Sequence, residues 1–299
     1  MKTFVYKVED ALRSIKYAFL LKFFPDRYVS IRASVELKHG KVIKCNWGDD
    51  LNAIIMEYLS KKKLLILPNN RLTELLQIPN NLVIGSILTF YPLKNATIWG
   101  SGIINDTEID NIQGKPKKVL AVRGPRTRKI LLELGIDCPE IYGDPALLMP
   151  LFYKTSQIKK YKLGIIPHMK DIENPVLKKL IGQKDVKYIK VHDYLRWQNF
   201  IDDINSCEYV VSSSLHGLII SEAYGIPSKW IEFGNNKEGW NFKFWDFYES
   251  IGKKFENPLL ITNKMSINDI YESKKNWKPG VINIDKLLKS CPFELNGMQ

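Results

Sequence analysis

Strand-length apolar runs alternate with stretches of helical periodicity along most of this chain, and nearly every run empties into a polar or glycine-rich turn. Strands are predicted at 41–45, 64–67, 82–87, 97–99 and 119–122. Leu51, Ile54, Ile55, Tyr58 and Leu59 repeat at helical spacing, and a helix over 125–134 starts on a proline and stops at Gly135. Tyr142-Gly-Asp-Pro145 leads into a short helix that stops near Pro150. Beyond a Lys/Ser/Gln-rich stretch at 154–162 the alternation resumes, with strands at 163–166, 186–191, 209–212 and 229–233 and helices at 174–181, 195–207, 217–224 and 241–251. Such a pattern predicts an α/β chain whose parallel sheets carry helices on both faces. Two series predict two Rossmann-like domains facing across a cleft, 1–153 and 154–299. An amphipathic helix at 284–291 is a candidate to pack back on the N-terminal domain.

Length and composition agree with two such cores. The 299 residues are 45% hydrophobic and 25% charged, which excludes disorder as the main state. Cys45, Cys138, Cys207 and Cys291 are too dispersed for a zinc knuckle or a thioredoxin-like pair and read as reduced thiols. With no signal-peptide pattern and no run near the ~20 apolar residues of a membrane span, a cytoplasmic location is expected. The net charge of +12 fits a solvated surface, nucleic acid, an anionic membrane or a phosphorylated substrate. Nucleic acid is disfavoured, because no zinc finger, RNP motif or continuous basic helix occurs. Segment 11–28 is basic and aromatic, the composition of an interfacial helix, so peripheral contact with the inner face of the membrane is an expectation. An ordinary amphipathic helix covering a core has the same pattern.

Open parallel sheets bind ligands beyond the carboxyl ends of their strands. At Ser212-Ser-Ser-Leu-His216-Gly217 a buried strand delivers hydroxyls and an imidazole to a helix N-terminus, where free N–H groups attract anions. Ser213, Ser214, Leu215 and Gly217 are binding candidates there, and His216 can act as acid or base near neutral pH. Glu222 lies too far round its helix to share that face by default. Arg123-Gly-Pro-Arg126 sets two guanidiniums around another turn, suited to carboxylate or phosphate oxygens, although one arginine can equally tie the turn to a neighbouring loop. Asn46-Trp-Gly-Asp49-Asp50 offers paired carboxylates at a helix start, where capping alone explains one of them. Gly100-Ser101-Gly102 permits close backbone approach, and Pro167-His168 closes the set. There is no P-loop, no complete G-x-G-x-x-G and no G-x-S-x-G.

These exits, taken in order, resemble those of the polysaccharide pyruvyl transferase family. The matching stretches are Asn46-Trp-Gly-Asp-Asp-Leu51, Gly100-Ser-Gly-Ile103, Val122-Arg-Gly-Pro-Arg126, Gly143-Asp-Pro-Ala-Leu-Leu148, Ile166-Pro-His168 and Ser212-Ser-Ser-Leu-His-Gly-Leu-Ile-Ile-Ser-Glu-Ala-Tyr-Gly-Ile-Pro227. The resemblance implies a fold like the GT-B glycosyltransferases, with an N-terminal acceptor side and a C-terminal donor side. It implies transfer of a pyruvyl group from phosphoenolpyruvate to a sugar of a surface polysaccharide or its lipid-linked precursor, as a cyclic ketal, with no metal and no further cofactor. Many members carry an arginine two positions before the motif histidine, where this chain has Ser214. Donor binding is therefore expected to fall on Arg123, Arg126, Lys237 or Lys243. His216 takes acid/base or phosphate-contact duty, Asp49 or Asp50 the acceptor hydroxyls, and His168 a secondary place. The other readings are a transferase of the same architecture using a nucleotide sugar, and a glycan-binding relative without catalysis.

Overall fold

The computed structural model describes residues 2–38, 41–43, 46–156, 158–234, 239–254 and 256–293. Helix α1 (Lys2–Phe23) leads into β1 (Tyr28–Ile31), an antiparallel pair β2 (Glu36–Lys38) and β3 (Lys41–Ile43), and α2 (Trp47–Ser60). Then come β4 (Lys63–Ile66), α3 (Arg71–Leu75), β5 (Asn80–Leu82), β6 (Ala96–Trp99), β7 (Lys118–Ala121), α4 (Pro125–Glu133) and α5 (Met149–Phe152). The second half carries β8 (Tyr161–Ile166), α6 (Pro175–Leu180), β9 (Val186–Tyr188), α7 (Trp197–Asn205), β10 (Cys207–Ser212) and α8 (Leu215–Ala223). It closes with β11 (Ser228–Glu232), α9 (Phe242–Ser250), β12 (Leu259–Leu260), α10 (Ile267–Glu272) and α11 (Ile284–Lys289).

The strands form two five-stranded sheets, ordered β4-β1-β5-β6-β7 and β12-β11-β10-β8-β9, and every adjacent pair in both is parallel. Each sheet reverses its direction of growth once. From β1 the chain adds β4 on one side and then β5 on the other; from β8 it adds β9 and then β10. The gaps past β1/β5 and β8/β10 are therefore topological switch points, the places where loops diverge and leave a crevice. One apolar cluster runs through both halves, from Ile31, Leu51 and Ile55 to Ile204, Leu218 and Phe244. The α11 end reaches the first sheet, where Trp99 Nε1 donates to the Leu287 carbonyl.

Several elements depart from the sequence expectation, first among them the strand expected over 41–45, whose described part, β3, pairs antiparallel with β2 outside both parallel sheets. Strand β1 went unforeseen, being four residues directly behind a long helix, yet it sits inside the first sheet. The strand expected over 82–87 ends at Leu82, because Asn52 on α2 grips Ile84, accepting from its N–H and donating to its carbonyl, and Gly85 turns away at φ +104°. The short helix expected after Tyr142-Gly-Asp-Pro145 is a 3₁₀ turn, Pro145–Leu148, that stops before Pro150, and Pro150 itself sits in the first turn of α5, where its missing N–H costs nothing.

Candidate active site

Both switch points open on one pocket of about 200 Å³, below the ~300–1,000 Å³ typical of drug-sized ligands. Ser34 enters it from beyond β1, Gly85 and Ser86 from beyond β5, His168 from beyond β8, and Ser214, Leu215 and His216 from beyond β10. Asn46 and Asp49 come from the start of α2, Lys243 from the first turn of α9, and Trp240 from the turn before it. Ile87, Phe90 and Ile104 supply the apolar wall.

The motif at 46–52 divides its labour. Asn46 caps α2 by accepting from the Gly48 N–H. Trp47 stacks on Phe200 of α7 with ring centroids 4.3 Å apart and donates to the Trp197 carbonyl. Gly48 lies under the His216 imidazole, so close that a β-carbon there would fall 1.9 Å from Nδ1. Asp49 faces the pocket, whereas Asp50 is buried outside it and accepts from Tyr194 Oη at 2.7 Å. Of the two expected carboxylates, the pocket receives one.

His216 is buried, and its Nε2 points at Oδ2 of fully buried Asp144 across 3.8 Å. Neither atom has a hydrogen-bond partner. Burial, then the charges of Arg123 and Lys243, hold the imidazole down at about 3, so it is neutral at physiological pH. Burial raises Asp144 to about 7 against the N–H bonds from Ala146 and Gly85 and the charge of Arg123. Asp49 is also raised to about 7, by burial and by Asp50 and Asp144, with Lys243 opposing. Burial lowers Lys243 to about 7, helped by Arg123 and Lys170. A carboxyl and an ammonium thus titrate near neutrality in the same small space, the condition in which acid–base catalysts work.

Lys243 is the cation of the pocket. Its Nζ stands 3.6 Å from the Trp240 ring centroid, and among the described residues it makes no ion pair. Lys170 approaches the same ring at 4.2 Å, and His168 meets it edge-on at 5.2 Å. His168 is lowered to about 4 by burial, then Lys243 and Lys170; its Nδ1 accepts from the Lys170 N–H, which leaves the Nε2 side as donor. Ser214 opens α8 without a side-chain capping bond, so the first-turn N–H groups of that helix remain available at the pocket edge.

The remaining sequence candidates lie elsewhere. Arg123 is fully buried and clasps Asp246, the Ser86 hydroxyl and the Ile103 carbonyl, so its guanidinium supports Ser86 from behind the pocket wall. Arg126 pairs with Glu249 and stacks on Trp245 at the α4–α9 contact. Gly102 makes room for the Arg123 guanidinium and Gly100 for the Pro145 ring, while Ser101 is buried with them. Ser213 accepts from the His168 N–H and donates to Asp171, fixing the β8 exit. Gly217 lets α8 close on Ser212 and Ile166. Glu222 anchors the C-terminal segment through Lys253, Trp277 and the Gly280 N–H. Lys237 and Cys45 lie outside the described residues. Ser86 and Trp240 were not foreseen; Ser86 follows a strand exit and Trp240 carries no motif, whereas Gly143-Asp144 stands out in the sequence as a strand exit and only the pairing of Asp144 with His216 is new.

The sequence model of polysaccharide pyruvyl transferases matches residues 46–234, from the Asn46 cap to the end of β11 and its exit. The chain belongs to the polysaccharide pyruvyl transferase family. It is similar to the succinoglycan biosynthesis protein ExoV of Rhizobium meliloti, 25% identical over 73% of this chain and 63% of that protein, so it spans less than two thirds of that relative's length. It is also similar to the uncharacterised protein L143 of Acanthamoeba polyphaga mimivirus, 29% identical over 77% of this chain and 81% of that one. A crystal structure of a Klebsiella pneumoniae protein of uncharacterised function aligns at 17% identity over 83% of this chain and 98% of its own, with a TM-score of 0.42.

Proposed function

We propose that this protein transfers a pyruvyl group from phosphoenolpyruvate to a sugar of a surface polysaccharide or its lipid-linked precursor, forming a cyclic ketal. The observation that carries the reading is the meeting of Lys243, the α8 N-terminus, Asp49 and His216 in one small pocket of a chain of this family. Residues 1–153 supply the acceptor side and 154–299 the donor side, as two Rossmann-like domains with the crevice between them.

The chemistry follows from the groups. Lys243, the first-turn amides of α8 and His168 Nε2 hold the donor's carboxylate and phosphate. A bound anion favours the charged forms of Lys243 and His216, reversing the effect of burial. Asp49, raised to about 7 and so partly in its acid form, gives its proton to the methylene carbon, which becomes a methyl group and leaves positive charge on the central carbon. One sugar hydroxyl adds there and yields its proton to Asp49. The second hydroxyl replaces phosphate on the same carbon, and its proton leaves with the phosphate. One hydroxyl proton thus restores the catalyst and the other departs, so the balance is phosphoenolpyruvate plus diol to ketal plus phosphate. His216, facing Asp144, is the group placed to pass a proton inward or to steady the leaving phosphate.

The test incubates purified protein with phosphoenolpyruvate and a panel of galactosides, mannosides and N-acetylhexosaminides. Phosphate release with a product heavier by pyruvate less water supports the reading. Tight binding of a nucleotide or nucleotide sugar replaces it with glycosyl transfer, and sugar binding without turnover under any donor replaces it with a glycan-binding role.

A further inference from the structure

Helix α1 has two faces, and only one is used by the fold. Ser14 is buried and bonds to Asn70 and Thr73 at the start of α3. On the outer face Val8, Leu12, Ile15, Phe19 and Phe23 are 44–62% exposed, at steps of four, three, four and four residues. At ~100° per residue those steps form a single apolar stripe about four turns long, continued by exposed Phe24. Lys16 and Lys22 fall on opposite flanks of the stripe, and Lys7 lies nearer its start. Glu9 borders it too, while Asp10 is paired with Arg13 on the inner side.

At the C-terminal end the charge thickens. Arg27 follows the helix, and the segment Lys61–Lys62–Lys63 adjoins it through the bond from Lys62 Nζ to the Pro25 carbonyl and from the Lys63 N–H to the Arg27 carbonyl. Aromatic rings and cations alternate here, with Lys22 over Phe23 and Arg27 over Phe24. Exposed rings that insert to headgroup depth, with ammonium and guanidinium groups beside them, complement an anionic bilayer. A second copy of the same helix fits less well, since it would oppose lysine to lysine in a chain of net charge +12.

We propose that α1 is an interfacial anchor that lays this protein on an anionic lipid surface, the stripe from Val8 to Phe23 entering the headgroup region. No helix among the described residues is long and apolar enough to cross a membrane, so attachment through α1 is peripheral. The anchor also has a bearing on the acceptor. The inner side of α1, through Tyr6 and Arg13, walls a second groove of about 710 Å³. Ala33 and Tyr91 line that groove, and the adjacent Ser34 and Phe90 line the catalytic pocket. Docking on α1 therefore brings this groove, one residue from the pocket wall at Ala33–Ser34 and at Phe90–Tyr91, close to the bilayer; its use by a lipid-linked acceptor rests on the proposed function, the docking does not.

Co-sedimentation of the full chain with vesicles tests the anchor without reference to turnover. Vesicles rich in phosphatidylglycerol bind the protein at least about tenfold more tightly than pure phosphatidylcholine, and about 0.5 M salt weakens the binding. The double variant Leu12→Glu/Phe19→Glu loses about tenfold or more of that affinity while its thermal midpoint stays unchanged. Equal binding of both vesicle types, or equal binding by the variant, overturns the proposal. So does sedimentation equilibrium showing a dimer that the double variant dissolves, since the stripe would then be covered by a second copy.

Discussion

The imidazole of His216 rests on the bare Cα of Gly48, which couples the first helix turn beyond one sheet to the first helix turn beyond the other. Replacement Gly48→Ala puts a methyl into the ring's position. The ring must leave, and on the proposed function phosphate release from phosphoenolpyruvate is expected to fall by ~10²-fold or more, the scale of loss when a reacting group is misplaced. The double variant Gly48→Ala/His216→Ala should melt higher than Gly48→Ala alone, because the clash is gone, and should stay inactive. Thermal melts beside a phosphate assay separate the two effects.

Lys243 is kept in the pocket at a cost to the fold. A lysine whose pKa is lowered from 10.5 to about 7 destabilises the native state, fully below pH 7 and progressively less towards pH 10.5. Lys243→Met is therefore expected to raise stability by on the order of 1 kcal/mol at pH 7, with the gain shrinking as pH rises to 10. The same variant should bind phosphoenolpyruvate at least about tenfold more weakly. Denaturant melts at two pH values and a titration by calorimetry check both halves.

Donor binding should take up protons. In the free protein Lys243 is half-ionised near pH 7, and a bound trianion raises its pKa. Affinity is expected to be greatest below pH 7 and to fall by up to about tenfold per unit above it. At pH 8 the binding heat should vary with the ionisation enthalpy of the buffer, with the sign of proton uptake. A heat independent of buffer would remove Lys243 from anion recognition.

The two arginines near the β7 exit should differ sharply in what their loss costs. Arg123→Ala leaves Asp246 buried without its partner and is expected to cost about 3–5 kcal/mol of stability. Arg126→Ala breaks a half-exposed pair with Glu249 and should cost at most about 1 kcal/mol, with little change in turnover. Chemical denaturation of the two variants side by side makes the comparison.

The pocket was legible in the sequence where a strand exit sits next to it: Asn46, Asp49, His168, Ser214, Leu215 and His216 all line it. The arginines show why exits alone mislead. Arg123 has the right chemistry at the right end of a strand, but the carboxylate that claims it, Asp246, is 123 residues further on. Lys243 offered only its charge, and its place beside Trp240 depends on how the turn before α9 folds against the β8 exit. The parallel character of both sheets followed from alternation. Strand β1 did not, since four residues behind a long amphipathic helix carry no period of their own.

The unbroken apolar cluster from Ile31 and Leu51 to Leu218 and Phe244 has a mechanical corollary. Parting the sheets like the halves of a shell would wet that cluster at about 25 cal/mol for each Å² bared. Molecules must come and go through rearrangement of the rim alone, and heat should dismantle both sheets in one stroke.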